Sequence, residues 1–379
     1  MTLIHKALSL GKWAYLNHLG WHTSRKLVLF ESDDWGSIRT PSRAVLNHLT
    51  ACGDSAARNA FIAHDSLERK EDLERLFSAL DRFRDKNGAP PCMTANFAVA
   101  NPDFERIKPN EGIYHYEPFY QTYERLYGAD NGILELLRQA EAAGLCKPQL
   151  HAREHLNVAR WMRSLRSGET DTMLAFQNCM IDVGASYTPR QRYGYMDALN
   201  TDNPAELSDL KEILTDAARI FEEAFGYRSK TFVASCFVWR PEIEPVLTRL
   251  GIEAIQTDFY QLICYGKGTT GLQKRPHYTG QRSRSGLIYM VRTCEYEPAY
   301  GRSIEQSVDR CLDQIGNAFS AGKPAIVDTH RFNYIGTLDP QGAAQRLMGL
   351  HELLAKLLKL YPDAEFISAD KLSDLMAKT

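Results

Sequence analysis

The stretch KLVLFESDD, residues 26–34, reads as a buried strand that ends in two adjacent carboxylates. Seven further runs of the same apolar or β-branched character follow: PCMTANFAV (91–99), KPQLHARE (147–154), KTFVASCFVW (230–239), IEAIQTDF (252–259), LIYMVRTCEY (287–296), KPAIVDTHRF (323–332) and AEFISADKL (364–372). Helix-period segments separate many of them, such as the one ending at Gly88, NGILELLRQAEAAG (131–144), and the segment running to Gly226. In these segments apolar residues recur at three and four, and Gly closes the turn. Strands alternating with crossover helices in a chain of 379 residues predict an α/β fold, an irregular (β/α)7-8 barrel, rather than a sandwich.

A hydrophobic content of 44% is enough to bury a large core, and Lys plus Arg (45) nearly balances Asp plus Glu (47) for a formal net charge of −2. No basic stripe stands out, which argues against nucleic acid and anionic membrane as partners. The eight cysteines show no CxxC pair and no zinc-knuckle spacing, the pattern of buried thiols in a reducing compartment. The N-terminus is interrupted by Lys, His and Asn, without the apolar region of a signal peptide, and no run approaches a membrane span. The expectation is a cytoplasmic protein.

We expect one barrel domain over residues 1–379, with insertions near 101–130 and 182–204. The first carries seven aromatic side chains between Phe104 and Tyr127. These are suited either to sugar faces in a substrate wall or to pinning the loop to the body.

The ends of the strands carry the chemistry. Asp33 and Asp34 sit where a strand breaks into a loop, so both can reach the cavity above a barrel. One can bind a metal while the other takes a proton from water, although an Asp pair also caps helices. In LHAREHLN, His151 and His155 are four residues apart, a spacing that clamps one cation if a helix starts there. His330 ends AIVDTH, and Arg240 with Pro241 ends FVW. Any one of these has a bland explanation, but four strand ends converge on the rim where barrel active sites are built.

Together these residues resemble the polysaccharide deacetylase family, metal-dependent carbohydrate esterases that include chitin, peptidoglycan and chitooligosaccharide N-deacetylases. ESDD (31–34) resembles the family's first motif, usually Thr-Phe-Asp-Asp, and HAREH (151–155) its His-x3-His motif. The Arg-Pro of VWRPEIEP resembles the start of the third motif, and VDTH (327–330) the closing Leu-x-His. The resemblance implies that Asp34, His151 and His155 bind a divalent metal, commonly zinc. It implies Asp33 as general base, His330 as general acid to the leaving amine, Arg240 as the group that orients and charge-balances Asp33, and Asp258 as candidate tuner of the acid. Glu31-Ser32 departs from Thr-Phe, and nothing after Pro241 matches the usual Pro-Tyr-Gly, so no oxyanion-binding group is assigned.

The implied activity is a metal-dependent hydrolase that removes an acetyl group, on nitrogen above all, from a carbohydrate or glycan precursor. A hydrolase of a non-sugar amide shares the same rim chemistry. One Asp and two His also make the facial triad of a non-haem iron oxygenase, which needs no acid and base pair such as Asp33 and His330. An inactive glycan-binding homologue would retain the site without turnover.

Overall fold

The computed structural model describes residues 18–52, 59–184, 194–201, 205–264 and 271–378, together with residues 11, 15 and 203. Thirteen strands are present among them: β1 (Lys26–Trp35), β2 (Met93–Ala98), β3 (Ala100–Pro102), β4 (Tyr116–Pro118), β5 (Cys146–Ala152), β6 (Thr231–Val233), β7 (Ala254–Thr257), β8 (Tyr260–Ile263), β9 (Gln273–Pro276), β10 (Ile288–Val291), β11 (Cys294–Glu295), β12 (Ala325–His330) and β13 (Ala364–Phe366). All eight runs identified in the sequence contain a strand of the main sheet, and all its pairings are parallel. The hairpins β3–β4 and β8–β9 are additions to this frame.

The sheet runs β10-β7-β6-β5-β2-β1-β12-β11. Its two ends belong to one segment of chain, because residues 288–291 pair with β7 and residues 294–295 pair with β12. Between them, Arg292 N–H donates to Thr257 O at 2.9 Å and Thr293 N–H to Ile326 O at 3.0 Å. The segment thus bridges the two edges and closes the sheet into a barrel. β13 joins the lower part of β1 on the edge opposite β12, since Val28 is partnered by both Ala325 and Phe366.

Alternation along β1 sorts its residues into two environments. Val28 and Phe30 belong to the large cluster shared with the surrounding helices. Leu27 and Leu29 join Ile288, Met290 and Ile326, with Leu372 and Met376 of the C-terminal helix Ala369–Ala377, in a second cluster inside the barrel. One and two pleats further on, the same face carries Glu31 and Asp33, both buried. The barrel interior is therefore apolar at its N-terminal end and polar at its C-terminal end, where Asn96, Gln256, Thr231 and Arg292 form one hydrogen-bonded layer with Asp33.

The aromatic insertion is pinned to the body. Phe119 and Tyr123 of the helix Phe119–Tyr127 are fully buried, the Tyr123 hydroxyl donates to Glu68, and Arg153 lies 4.1 Å over the Tyr116 ring. In the 182–204 insertion, residues 185–193, 202 and 204 lie outside the described residues.

The residue after His330 locks the rim. Arg331 is fully buried and donates to Asp65 at 2.9 Å, to Glu68 at 2.6 Å and to the Ser37 carbonyl. Arg331→Ala strands two buried carboxylates, and removing one partner of such a network costs about 3–5 kcal/mol. Urea denaturation should show a loss of that order; a loss under ~1 kcal/mol would remove Arg331 as an anchor of the rim.

Candidate metal centre

The C-terminal ends of β1, β5, β6 and β12 surround a cavity of about 370 Å³ whose wall includes Asp33, Asp34, His151, His155 and His330. Strand alternation alone would send Asp34 away from Asp33. Its backbone takes the left-handed conformation instead, with φ at 77°, and that turn lets neighbouring side chains face the same cavity. For a non-glycine residue this conformation costs on the order of 1 kcal/mol or more, and such sites concentrate where function demands them.

His151 lies on β5, and His155 follows in the loop before the helix Val158–Arg166. The pair is not presented by a helix, because Asn157 caps that helix through the Arg160 N–H and delays its start. The loop still brings the two rings to 4.8 Å between centroids. Arg153 and Glu154 pair with each other at 2.8 Å and hold Tyr114, Tyr116 and Asp216.

Each aspartate has its own guanidinium. Arg292 donates to both oxygens of Asp33, at 2.7 and 2.8 Å, and also to Glu31 at 2.7 Å and Asp328 at 2.6 Å. Burial pushes the Asp33 carboxyl up, but Arg292 overrides it and holds the group well below the usual carboxylate range. Glu31 has one bond to that cation and total burial, which pushes it up to about 8. On the other side, Arg39 donates to Asp34 Oδ2 at 3.0 Å and to Asp65 at 3.2 Å. The expectation that Arg240 orients Asp33 is corrected: Arg240 donates to Glu242 at 2.6 Å and does not line the cavity, and Arg292 fills the role.

With Oδ2 taken, Asp34 Oδ1 stands 3.4 Å from His151 Nε2 and 3.3 Å from His155 Nε2. His151 Nδ1 is 2.9 Å from the Val233 carbonyl and must donate to it, which leaves Nε2 with a lone pair. Burial pushes His155 down to about 3, which keeps its imidazole neutral. Asp34 Oδ1 and His151 Nε2 find no hydrogen-bond partner among the described residues. His155 Nδ1 likewise finds no partner among the described residues, so the pocket leaves three potential ligand atoms converging on one point. Ligands at 2.0–2.1 Å from a tetrahedral zinc ion stand about 3.3–3.4 Å apart, the separation of Asp34 Oδ1 from each imidazole, and three protein ligands leave a fourth position for water.

His330 faces the cavity with Glu297 behind it, Nδ1 to Oε1 at 2.5 Å. Burial disfavours the imidazolium, but the Glu297 carboxylate outweighs it and pushes His330 up to about 10. Glu297, rather than Asp258, therefore tunes this histidine. Glu297 and Arg292 were legible as charged residues beside the run IYMV, and Arg39 and Arg331 carried no motif.

Residues 74–295, more than half of the chain, match the sequence profile of glycosyl hydrolase family 57. The chain belongs to that family. This family of carbohydrate-acting enzymes, rather than the polysaccharide deacetylases, is the one the sequence matches, and the matched span includes His151, His155 and Arg292 but not Asp33, Asp34 or His330. No curated protein matches the chain. Among solved structures, a Mycobacterium smegmatis protein described as a polysaccharide deacetylase aligns at 13% identity and a TM-score of 0.48, covering 95% of this chain and 93% of its own. A 4-alpha-glucanotransferase from Thermococcus litoralis aligns at 11% identity and 0.43, over 94% of this chain and 40% of that one. The alpha-amylase AmyC from Thermotoga maritima aligns at 9% and 0.43, over 92% and 74%. No residue role follows from similarity this distant.

The Glu297 pairing has a direct consequence for titration. Removing the carboxylate leaves burial as the dominant influence on His330, so Glu297→Gln should lower its pKa from about 10 to the ordinary imidazole value or below. NMR titration of the imidazole in metal-free protein reads this, and an unchanged midpoint would exclude Glu297 as the tuning group.

Proposed function

We propose that this family 57 member is a metal-dependent hydrolase that removes an acyl group such as acetyl, most naturally from nitrogen, from a carbohydrate or glycan precursor. The observation that carries this reading is the convergence of His151 Nε2 and His155 Nε2 on Asp34 Oδ1 at 3.4 and 3.3 Å, in a buried cluster whose ligand atoms all lie within 4.8 Å of one another. A divalent cation held there, zinc by the nature of the ligands, supplies Lewis acidity toward a carbonyl oxygen and acidifies water.

The chain's own residues then divide the proton traffic. Asp33, kept ionised and aimed by Arg292 and Asn96, accepts a proton from the attacking water. His330, kept protonated by Glu297, donates one to the departing nitrogen or oxygen as its bond to the acyl carbon breaks. The products are a carboxylate and a free amine or hydroxyl. Phe61 and Phe332 pack against the His330 ring at 5.2 and 5.3 Å and fix its plane.

Family membership favours a second reading, cleavage of a glycosidic bond by paired carboxylates. Asp328 lines the cavity and burial raises its carboxyl, as a proton donor requires, although Arg292 already holds it at 2.6 Å. The two readings separate by product: a deacylase releases acetate, a glycosidase new reducing ends.

With metal stripped and zinc restored, acetate release from acetylated sugars and oligosaccharides should return with about one ion per chain. Asp34→Ala should lose both metal and activity. Asp33→Asn should keep the metal and lose at least about a hundredfold in kcat, the usual contribution of a positioned base. Metal-independent release of reducing ends would favour the glycosidase instead, and an Asp33→Asn variant as active as wild type would exclude Asp33 as the base.

A further inference from the structure

The cavity is far larger than the acetyl group invoked above. It encloses about 370 Å³, the share of roughly a dozen water molecules in the liquid. A methyl group takes the room of about one of them.

The wall is chemically uneven. Phe61 and Tyr300 stand 5.2 and 6.4 Å from the His330 ring, so the side where a leaving group takes its proton carries aromatic faces, which suit a sugar ring. Much of the remaining wall is Ile38, Ile62, Met180, Ile181, Met196 and Phe237. Arg39, Thr40, Asn59 and Asp182 are the polar residues among them. Ile62 and Met180 belong to one buried apolar cluster and Ile181 to another, so among the described residues this side of the cavity is continuous with the core. Apart from the Met196 sulfur, which accepts from Arg39, the apolar side chains offer no hydrogen bonds, and sugar hydroxyls placed against them would lose water without replacement. Methylene groups gain from the same contact, and the thioether of Met180 can adjust to a chain of variable shape.

We propose that the substrate is an acylated sugar whose acyl group is an apolar chain of roughly four to eight carbons, seated on this aliphatic wall, rather than acetyl. The proposal rests on the hydrolase reading above and specifies its substrate. Water adds across the bond between the acyl carbon and the sugar nitrogen or oxygen, giving the fatty carboxylate and the free amine or hydroxyl, with no other reactant.

The test is a chain-length series of N-acetyl-, N-butanoyl-, N-hexanoyl- and N-octanoyl-glucosamine with zinc-loaded protein, read as carboxylate release. kcat/KM should climb by roughly fourfold per added methylene until the wall is filled. Calorimetry on metal-free protein gives an independent reading, in which hexanoate should bind at least about tenfold more tightly than acetate. Rates that fall from acetyl onward, or equal binding of the two carboxylates, overturn the proposal and leave the hydrolase reading intact. No carboxylate from any member, acetyl included, overturns the hydrolase reading and this proposal together.

Discussion

Two guanidinium groups divide two adjacent carboxylates, and the rest of the site depends on that division. Asp33 and Asp34 are both almost completely buried, and two like charges on neighbouring residues could not both stay ionised without compensation. Arg292 takes Asp33 from inside the barrel and Arg39 takes Asp34 from the rim, through different oxygens and different loops. Because each cation fixes its partner's orientation, Asp34 is left with one oxygen aimed at two imidazoles, and Asp33 is kept away from them. The pair becomes two tools with different roles.

The division is built into the barrel. Closure by the 288–295 segment carries Arg292 to the point where the chain leaves β7 for β12, opposite the polar end of β1. Arg39 is tied through Asp65 to Arg331, and Arg331 through Glu68 to Tyr123 of the aromatic insertion. A chain of alternating charges thus runs from the candidate metal site to a loop that lines no part of the cavity. Such a network rigidifies because Arg39, Asp65, Arg331 and Glu68 are each paired, and it is costly to break because each charge is buried.

Much of this was legible in the sequence. The strands showed themselves as apolar runs because parallel strands are covered on both sides, and residues at their ends announced the site because barrels place chemistry there. The roles that depend on three-dimensional pairing were not legible. In the sequence Arg240 closes an apolar run, but the strand of that run stops at Val233 and a turn over Ser235–Phe237 intervenes, whereas Arg292 directly follows a strand of the closing segment and meets Asp33. The His-x3-His spacing was read as helical, whereas the loop after β5 does the same work because Asn157 postpones the helix. Two of the deacetylase-like motifs, HAREH and the Arg-Pro of VWRPEIEP, fall within the family 57 match, whereas the two that carry Asp33, Asp34 and His330 fall outside it.

The claim on which the account turns is that Asp34, His151 and His155 hold one metal ion. Anomalous diffraction at the zinc edge from crystals of zinc-loaded protein tests it directly. The account predicts a single peak of about full occupancy, roughly 2.0–2.2 Å from Asp34 Oδ1 and both Nε2 atoms. A peak at Glu297, Asp328 and His330 instead, the other such cluster among the described residues, or no peak between Asp34 and the two histidines, would contradict it.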